Sequence, residues 1–188
     1  MAKLITGGLG FIGIYLARAL TKKGEEVVLF DVVTKSPLIH DIKDKVKIVQ
    51  GDLASWAEVL EVVKDHNIDG IYHTGALLSA SAEERPITAY NVNAGGTFNI
   101  LEAARLFNVK RVVYTSTIAS YGFGLHTVNE DTIQMPISMY GVTKVFSERL
   151  GEYYNRKFGI DFRGVRLPSV IGPGRGGGGA SAYSTLMI

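Results

Sequence analysis

The chain has 188 residues, of which 46% are hydrophobic and 20% are charged, and its formal net charge at pH 7 is +2. These values predict one globular α/β domain that is large enough to bury a core, and they exclude a disordered or fibrous chain. A net charge this small, without a cluster of Lys and Arg among aromatic residues, argues against a nucleic-acid partner.

The first predicted element is a short strand ending at residues 4–5, and a glycine-rich turn follows it. The turn has the sequence Gly7-Gly8-Leu9-Gly10-Phe11-Ile12-Gly13, and the residues after it are apolar at helical spacing. Gly7 allows a sharp exit from the strand, Gly10 a close approach of backbone to a pyrophosphate, and Gly13 close packing of the helix on the sheet. The N–H groups and positive dipole of the helix N-terminus then face the phosphates. This context indicates a dinucleotide site; the alternative is a structural turn that has lost its ligand.

The rest of the chain alternates between apolar runs of strand length and segments of helical periodicity. The predicted elements after the turn are helix 11–23, strand 26–31, strand 46–50, helix 55–66, strand 70–73, helix 87–107, strand 111–115, helix 139–158 and strand 162–167. This alternation predicts a Rossmann-type, doubly wound parallel sheet with right-handed crossovers and helices on both faces. We assign residues 1–171 to this domain and the glycine-rich residues 172–188 to the start of a substrate-binding region, although such a run is also typical of a linker.

Acidic residues follow two of the predicted strands. Asp31 ends the second strand, where a carboxylate accepts hydrogen bonds from ribose hydroxyls and repels a 2′-phosphate, so NAD is favoured over NADP. Asp52 follows the third strand, at the edge where ligands bind in open α/β sheets. An adenine contact and a cap on the next helix are equally good interpretations of Asp52.

The fourth strand leads into a loop of small residues, 74–80, against which a flat cofactor ring or a ribose can lie. His73 ends that strand, and a single histidine in this position is more often a hydrogen-bonded packing residue than a catalyst. We therefore expect the loop to contact the cofactor and His73 to support it.

Hydroxyl side chains follow the fifth strand in the run Ser116-Thr117-Ile118-Ala119-Ser120, and a Ser/Thr run after a strand is, taken alone, typical of turns. The sequence continues to Tyr140 and Lys144, which are four residues apart at the start of a helix and therefore lie on one face. A nearby ammonium, and a bound nicotinamide cation, favour the phenolate, so a tyrosine with an ordinary pKa of about 10 can act as a base near neutrality.

The chain contains no cysteine, which excludes disulfides and thiolate metal sites, and its four histidines lack the spacing of metal ligands. We therefore expect no metal site. The first strand begins almost at Met1, and no apolar run is long enough to cross a bilayer. We expect a cytoplasmic protein without a membrane partner.

The glycine turn, the hydroxyls before Tyr121-Gly122, the Tyr140-x-x-x-Lys144 pair and Arg166-x-Pro168 together resemble the extended short-chain dehydrogenase/reductases, the NAD-dependent epimerase/dehydratase family. The resemblance extends over essentially the whole chain. It implies that Thr117 is the catalytic hydroxyl, Tyr140 the acid/base and Lys144 its helper. The implied cofactor-binding residues are Gly7, Gly10, Phe11, Ile12, Gly13, Asp31, Asp52, Leu53, Thr74, Gly75, Ala76, Asn93, Thr115, Tyr140, Lys144 and Leu167, and the implied substrate-binding residues are Ser79, Thr117 and Tyr140.

Departures from the family's pattern narrow the expected reaction. Sugar-nucleotide dehydratases have an acidic pair after the catalytic hydroxyl, where this chain has Ile118-Ala119, and UDP-galactose epimerases usually have a lysine near the position of Leu78. The segment 76–80, with Glu83 or Glu84 soon after it, is similar to short-chain L-threonine 3-dehydrogenase, as in part is the loop 176–183. We expect NAD-dependent hydride transfer from a secondary alcohol of a small molecule, either a sugar nucleotide or similar, or an amino acid such as L-threonine. A non-catalytic NAD-binding protein is the alternative from another class.

The resemblance also implies a homodimer, in which helices around 93–107 and 139–158 of two copies form a four-helix bundle. Family members continue well beyond the sixth strand with a region that closes over the substrate. We therefore expect this chain to be a truncated cofactor-binding half that binds NAD and turns over poorly.

Overall fold

Strands form where the chain carries apolar runs, because a strand that is covered on both faces is apolar throughout. The structure is a computed structural model, and it describes residues 1–175. Its strands are β1 (Ala2–Thr6), β2 (Glu26–Asp31), β3 (Lys47–Gln50), β4 (Ile68–His73), β5 (Arg111–Thr117) and β6 (Asp161–Leu167). They form one parallel sheet in the order β3-β2-β1-β4-β5-β6. The strand order switches direction between β1 and β4, and ligands of such sheets bind at the carboxyl ends of the strands near that point.

Helices cover both faces of this sheet. They are α1 (Phe11–Lys22), α2 (Trp56–Asp65), α3 (Ser79–Glu84), α4 (Pro86–Ala89), α5 (Gly96–Leu106) and α6 (Met139–Phe158). Neighbouring residues of β1 point to opposite faces, so that Leu4 packs in one core cluster with Val59 of α2 and Ile100 of α5. Ile5 packs in the other cluster with Ile14 of α1. The predicted doubly wound fold is confirmed.

Helix α6 has a defined start and a defined end. Ser138 precedes it and accepts a hydrogen bond from the Gly141 N–H at 3.0 Å, which caps the N-terminus. Gly159 ends it in the left-handed conformation, with φ at 73°, which a residue with a Cβ rarely adopts. Although α6 is 20 residues long, no helix within residues 1–175 is both long and apolar enough to cross a membrane.

The segment between β4 and β5 differs from the prediction. The single helix predicted over 87–107 is interrupted, because α4 continues into a π-helical turn, Tyr90–Gly95, before α5 begins. The predicted loop 74–80 is shorter, since α3 begins at Ser79. In addition, β5 extends to Thr117, which places Ser116 and Thr117 of the predicted hydroxyl run on the strand itself.

Candidate active site

One cavity of about 1000 Å³ runs along the carboxyl edge of the sheet. Its size is at the upper end of the range for small-molecule sites. Among the residues predicted for the site, it is lined by Gly7, Gly10, Phe11, Ile12, Gly13, Asp31, Asp52, Leu53, Thr74, Gly75, Ala76, Ser79, Thr115, Thr117, Tyr140, Lys144 and Leu167. The fold therefore brings together residues that are up to 160 positions apart in the chain.

The glycine turn is packed too closely for side chains. Gly7 has φ at +61°, and a Cβ there would lie 2.6 Å from the Gly75 Cα. A Cβ on Gly13 would collide with the carbonyl oxygen of Gly7. The first turn of α1 then carries neither a side-chain cap nor an acidic residue. Its N–H groups are open to an anion from the cavity.

Asp31 connects the end of β2 to the glycine turn. Its Oδ2 accepts a hydrogen bond from the Leu9 N–H at 3.0 Å, and its Oδ1 accepts one from the Val33 N–H at 3.3 Å. Each carboxylate oxygen has a further lone pair, which is what a pair of ribose hydroxyls requires. Asp31 is thus fixed in position on the cavity wall.

The structure excludes one of the two interpretations of Asp52, that it caps the next helix. Ser55, not Asp52, caps α2, by accepting a hydrogen bond from the Glu58 N–H at 3.4 Å. The Asp52 Oδ1 accepts from the Ala54 N–H at 2.9 Å and closes the turn before the helix. Asp52 remains on the cavity wall, so a contact with a ligand is still open to it.

A buried chain of hydrogen bonds supports the loop after β4. His73 Nδ1 lies 2.7 Å from Thr6 Oγ1, and His73 Nε2 lies 3.0 Å from Thr97 Oγ1. Because the Thr97 hydroxyl donates to the Asn93 carbonyl at 2.6 Å, it accepts from His73, which assigns the ring hydrogen to Nε2. Thr6 then donates to Nδ1 and accepts from the Gly75 N–H at 3.3 Å. Burial lowers the pKa of His73 to about 3, so this side chain is a neutral packing residue, as predicted.

Asn93 does not line the cavity, and its contact with the cofactor stays a prediction. Its side chain is 2% exposed. The Oδ1 atom accepts from the Leu77 N–H at 2.8 Å, and Nδ2 donates to the Leu77 carbonyl and to Thr143 Oγ1, both at 3.1 Å. Asn93 lies in the π-helical turn, a feature often found at functional sites. Asn93 therefore holds the loop after β4 against α6.

All three predicted catalytic side chains line the cavity. Thr117 Oγ1 accepts from the Ala119 N–H at 3.1 Å, which leaves the hydroxyl hydrogen for an oxygen in the cavity. The Lys144 Nζ donates to the Thr115 carbonyl at 2.7 Å and lies 5.5 Å from the centre of the Tyr140 ring. A hydroxyl, a phenol and an amine thus line one cavity that a small alcohol can enter.

Burial controls the ionisation of Tyr140 and Lys144. It raises the pKa of Tyr140 to about 12 and lowers the pKa of Lys144 to about 7. Desolvation disfavours both charged forms, and it is the cause of the raised pKa of Tyr140. That a charged Lys144 favours the phenolate stays a prediction. Additional positive charge beside the phenol would lower the pKa of Tyr140 again.

Several side chains outside the predicted set also line the cavity. Val32 follows Asp31 directly and is 59% exposed. Residues 168–170 follow β6 at the same edge. In both cases the sequence could have predicted a place on the cavity wall, because these residues directly follow the carboxyl end of a strand. Thr88 and Val92 reach the wall from α4 and the π-helical turn, and no local pattern predicted that turn.

The residues present fit a dinucleotide. The uncapped N-terminus of α1 and the glycine turn suit a pyrophosphate, and Asp31 suits an adenosine ribose without a 2′-phosphate. The gap between Gly7 and Gly75 is one that a single Cβ would fill. The donor set therefore agrees with the predicted cofactor, NAD.

Comparison with known proteins supports this interpretation. Residues 3–188 match the model of the NAD dependent epimerase/dehydratase family. An uncharacterized epimerase/dehydratase from Staphylococcus epidermidis is 38% identical over 188 residues, which cover 98% of this chain and 58% of the relative. An L-threonine dehydrogenase from Clostridium difficile is 36% identical with a TM-score of 0.86, covering 97% of this chain and 58% of that one. A UDP-glucose 4-epimerase from Thermus thermophilus, in complex with NAD, is 25% identical with a TM-score of 0.89, covering 99% and 61%.

The chain spans about 58% of the length of the curated relative from Staphylococcus epidermidis. The predicted similarity of the loop 176–183 to threonine dehydrogenases lies outside the described residues. The match over residues 3–188 confirms both the predicted resemblance and NAD as the cofactor. The chain belongs to the NAD dependent epimerase/dehydratase family.

Proposed function

We propose that the chain carries the cofactor site and the catalytic residues of an NAD-dependent oxidation of a secondary alcohol. The observation that carries the proposal is the shared cavity, which holds the glycine turn and Asp31 together with Thr117, Tyr140 and Lys144. When NAD is bound, it supplies the acceptor for the hydride that leaves the alcohol carbon.

The chain's own residues handle the alcohol and its proton. The Thr117 hydroxyl donates a hydrogen bond to the alcohol oxygen and holds it beside Tyr140. The Tyr140 phenolate takes the hydroxyl proton as the C–H bond breaks, and in the reverse direction the phenol returns that proton. Lys144, fixed by its bond to the Thr115 carbonyl at 2.7 Å, stabilises the phenolate. Because burial raises the pKa of Tyr140, oxidation should become faster as the pH rises.

L-Threonine is the first substrate to test. The identity to the threonine dehydrogenase from Clostridium difficile is 36%, against 25% for the Thermus thermophilus epimerase. The apolar Leu78 and the hydroxyl of Ser79 begin α3 at the cavity wall. The order of the tests follows the higher identity to the threonine dehydrogenase.

The experiment supplies the purified chain with NAD and either L-threonine or UDP-glucose. Reduced NAD that accumulates with L-threonine supports the proposal, and conversion of UDP-glucose to its 4-epimer without net reduction supports epimerisation by the same proton-transfer residues. The Tyr140→Phe variant is the matched control. If calorimetry shows NAD binding and neither substrate reacts, neither L-threonine nor UDP-glucose is a substrate of the chain in this form, and the substrate proposal fails.

We also propose that the chain pairs with a second copy of itself. Tyr90, Phe98 and Phe146 are 57%, 46% and 46% exposed, respectively, and line one recess of about 490 Å³ beside α5 and α6. Aromatic side chains concentrated in one exposed patch are typical of an interaction surface. The corresponding patch on a second copy would cover them around a two-fold axis.

A further inference from the structure

Glu148 forms a buried ion pair outside the cavity. It lies on α6 one turn beyond Lys144, and its side chain is 7% exposed. Arg166 of β6 donates to it from Nη2 at 2.7 Å and from Nε at 3.1 Å. The hydroxyl of Ser116 donates to the other carboxylate oxygen, Oε1. One carboxylate therefore joins α6, β5 and β6.

The same ion pair also holds the long loop between β5 and α6. Gln134 donates from Nε2 to Glu148 Oε2 at 2.9 Å. Arg166 donates from Nη1 to the Tyr121 hydroxyl at 2.6 Å, and that hydroxyl donates to the Asn129 carbonyl at 2.8 Å. The first and the second half of this loop are therefore both bonded to the Glu148–Arg166 ion pair, and Glu148 itself belongs to α6.

Ser116 lies between two residues that serve the candidate active site. The carbonyl of Thr115 accepts the hydrogen bond from Lys144, and the Thr117 hydroxyl faces the cavity. All three residues border the cavity. Because alternate residues of a strand point to opposite faces, the Ser116 side chain points away from that of Thr117 and donates to Glu148. Fixing Ser116 fixes the backbone that presents both neighbours.

Glu148 also acts on Lys144 through its charge. Burial lowers the pKa of Lys144, and the negative charge of Glu148 acts in the opposite direction. Burial raises the pKa of Glu148 itself, but the hydrogen bonds from Arg166, Ser116 and Gln134 outweigh it and keep the carboxyl ionised. The other titratable groups facing Lys144 are Tyr140 on α6, Tyr114 on β5, with Nζ 4.5 Å from its ring centre, and His73 on β4.

We propose that Glu148 is the positioning residue of this site: through Ser116 and Arg166 it fixes the end of β5 that carries Thr117 against the face of α6 that carries Tyr140 and Lys144. Glu148 reaches no ligand itself, because it does not line the cavity. The inference rests on the proposed roles of Thr117, Tyr140 and Lys144. Its test uses two readouts that do not require turnover.

The first readout is the titration of Lys144, followed by NMR in protein labelled at the lysine ε-carbon, with Lys144→Arg to assign the signal. Glu148→Gln should lower the pKa of Lys144 by about one pH unit, since a neighbouring opposite charge is removed. Glu152→Gln is the matched control, because Glu152 is on the same helix and its side chain is 44% exposed. An unchanged titration in folded Glu148→Gln would overturn the placement of the Glu148 carboxylate beside Lys144, on which the proposal rests.

The second readout is amide hydrogen exchange of the strand end 115–117 and of the loop 121–138. Glu148→Gln should speed exchange in both segments, whereas Ser116→Ala, which keeps both charges, should speed it at 115–117 and leave the titration of Lys144 unchanged. If Glu148→Gln does not fold, Ser116→Ala still tests the proposal. Amide exchange at 115–117 that is as slow in Ser116→Ala as in the parent would refute the positioning role. Failure of the proposed function is seen separately, as parental turnover by Tyr140→Phe.

Discussion

Acidification should destabilise the fold through His73, the neutral side chain that bridges Thr6 and Thr97. Its ring is 1% exposed, and burial lowers its pKa from 6.5 to about 3. Between these two values the unfolded chain binds a proton that the folded chain excludes. The contribution of the neutral ring is therefore fully present above the unfolded value and is lost as the pH falls through the window from 6.5 to 3.

The expected loss follows from these two pKa values. Each pH unit inside the window costs up to about 1.4 kcal/mol of the free energy of unfolding. Integrating the proton uptake of the unfolded chain between about pH 7 and pH 5 gives a loss of about 2 kcal/mol. The expected loss of stability depends little on the pKa of His73 in the folded chain, because any folded chain in which the ring stays neutral at pH 5 gives the same loss.

Denaturant unfolding of the parent and of His73→Gln at these two pH values measures the effect. Groups that titrate in both proteins cancel in the difference, so the stability gap between parent and variant should shrink by about 2 kcal/mol from pH 7 to pH 5. The control is His126→Gln, which removes an exposed imidazole from a loop. A gap for His73→Gln that is the same at both pH values would refute the argument.

Three further predictions concern ligand and partner. In calorimetry the parent should bind NAD more tightly than NADP. Asp31→Ser should lower the affinity for NAD roughly 10- to 100-fold, since it removes a charged acceptor for the ribose hydroxyls. Tighter binding of NADP than of NAD by the parent would show that Asp31 is not the ribose acceptor. Gly13→Ala should abolish NAD binding because its Cβ meets the glycine turn, whereas Gly95→Ala, whose Cβ would lie 3.8 Å from its nearest neighbour, should bind as the parent does. Light scattering at micromolar concentration should show a dimer for the parent and a monomer for Phe98→Glu, and a monomeric parent would contradict the proposed pairing.

The parts of the site that could be predicted from sequence are those that depend on local geometry. The glycine turn is defined by its own φ angles and by the strand and helix beside it. Tyr140 and Lys144 share a face because they are four residues apart on one helix. Asp31 follows from its position at a strand's carboxyl end, where parallel sheets bind ligands.

The remainder depends on contacts between distant residues. Asn93 matches the residue type that the family resemblance implies for a cofactor contact. The π-helical turn directs its amide to Leu77 and Thr143 instead, and such a turn depends on packing and not on a local sequence pattern. The spacing of Tyr140 and Lys144 predicted a lowered pKa for Tyr140, whereas burial raises it. The spacing of two residues in sequence does not show how deeply their side chains are buried. The ion pair of Glu148 with Arg166 joins two elements across the sheet edge, and neither residue's neighbours in sequence indicate it.

The central claim is that Tyr140 transfers the substrate proton while other residues hold NAD. The most direct measurement compares parent and Tyr140→Phe for NAD affinity by calorimetry and for reduction of NAD in the presence of substrate. The account predicts nearly equal affinity and a loss of turnover of about 100- to 10,000-fold, the usual contribution of a general acid or base. Parental turnover in a folded Tyr140→Phe protein that still binds NAD would contradict the account and assign the proton transfer to another residue.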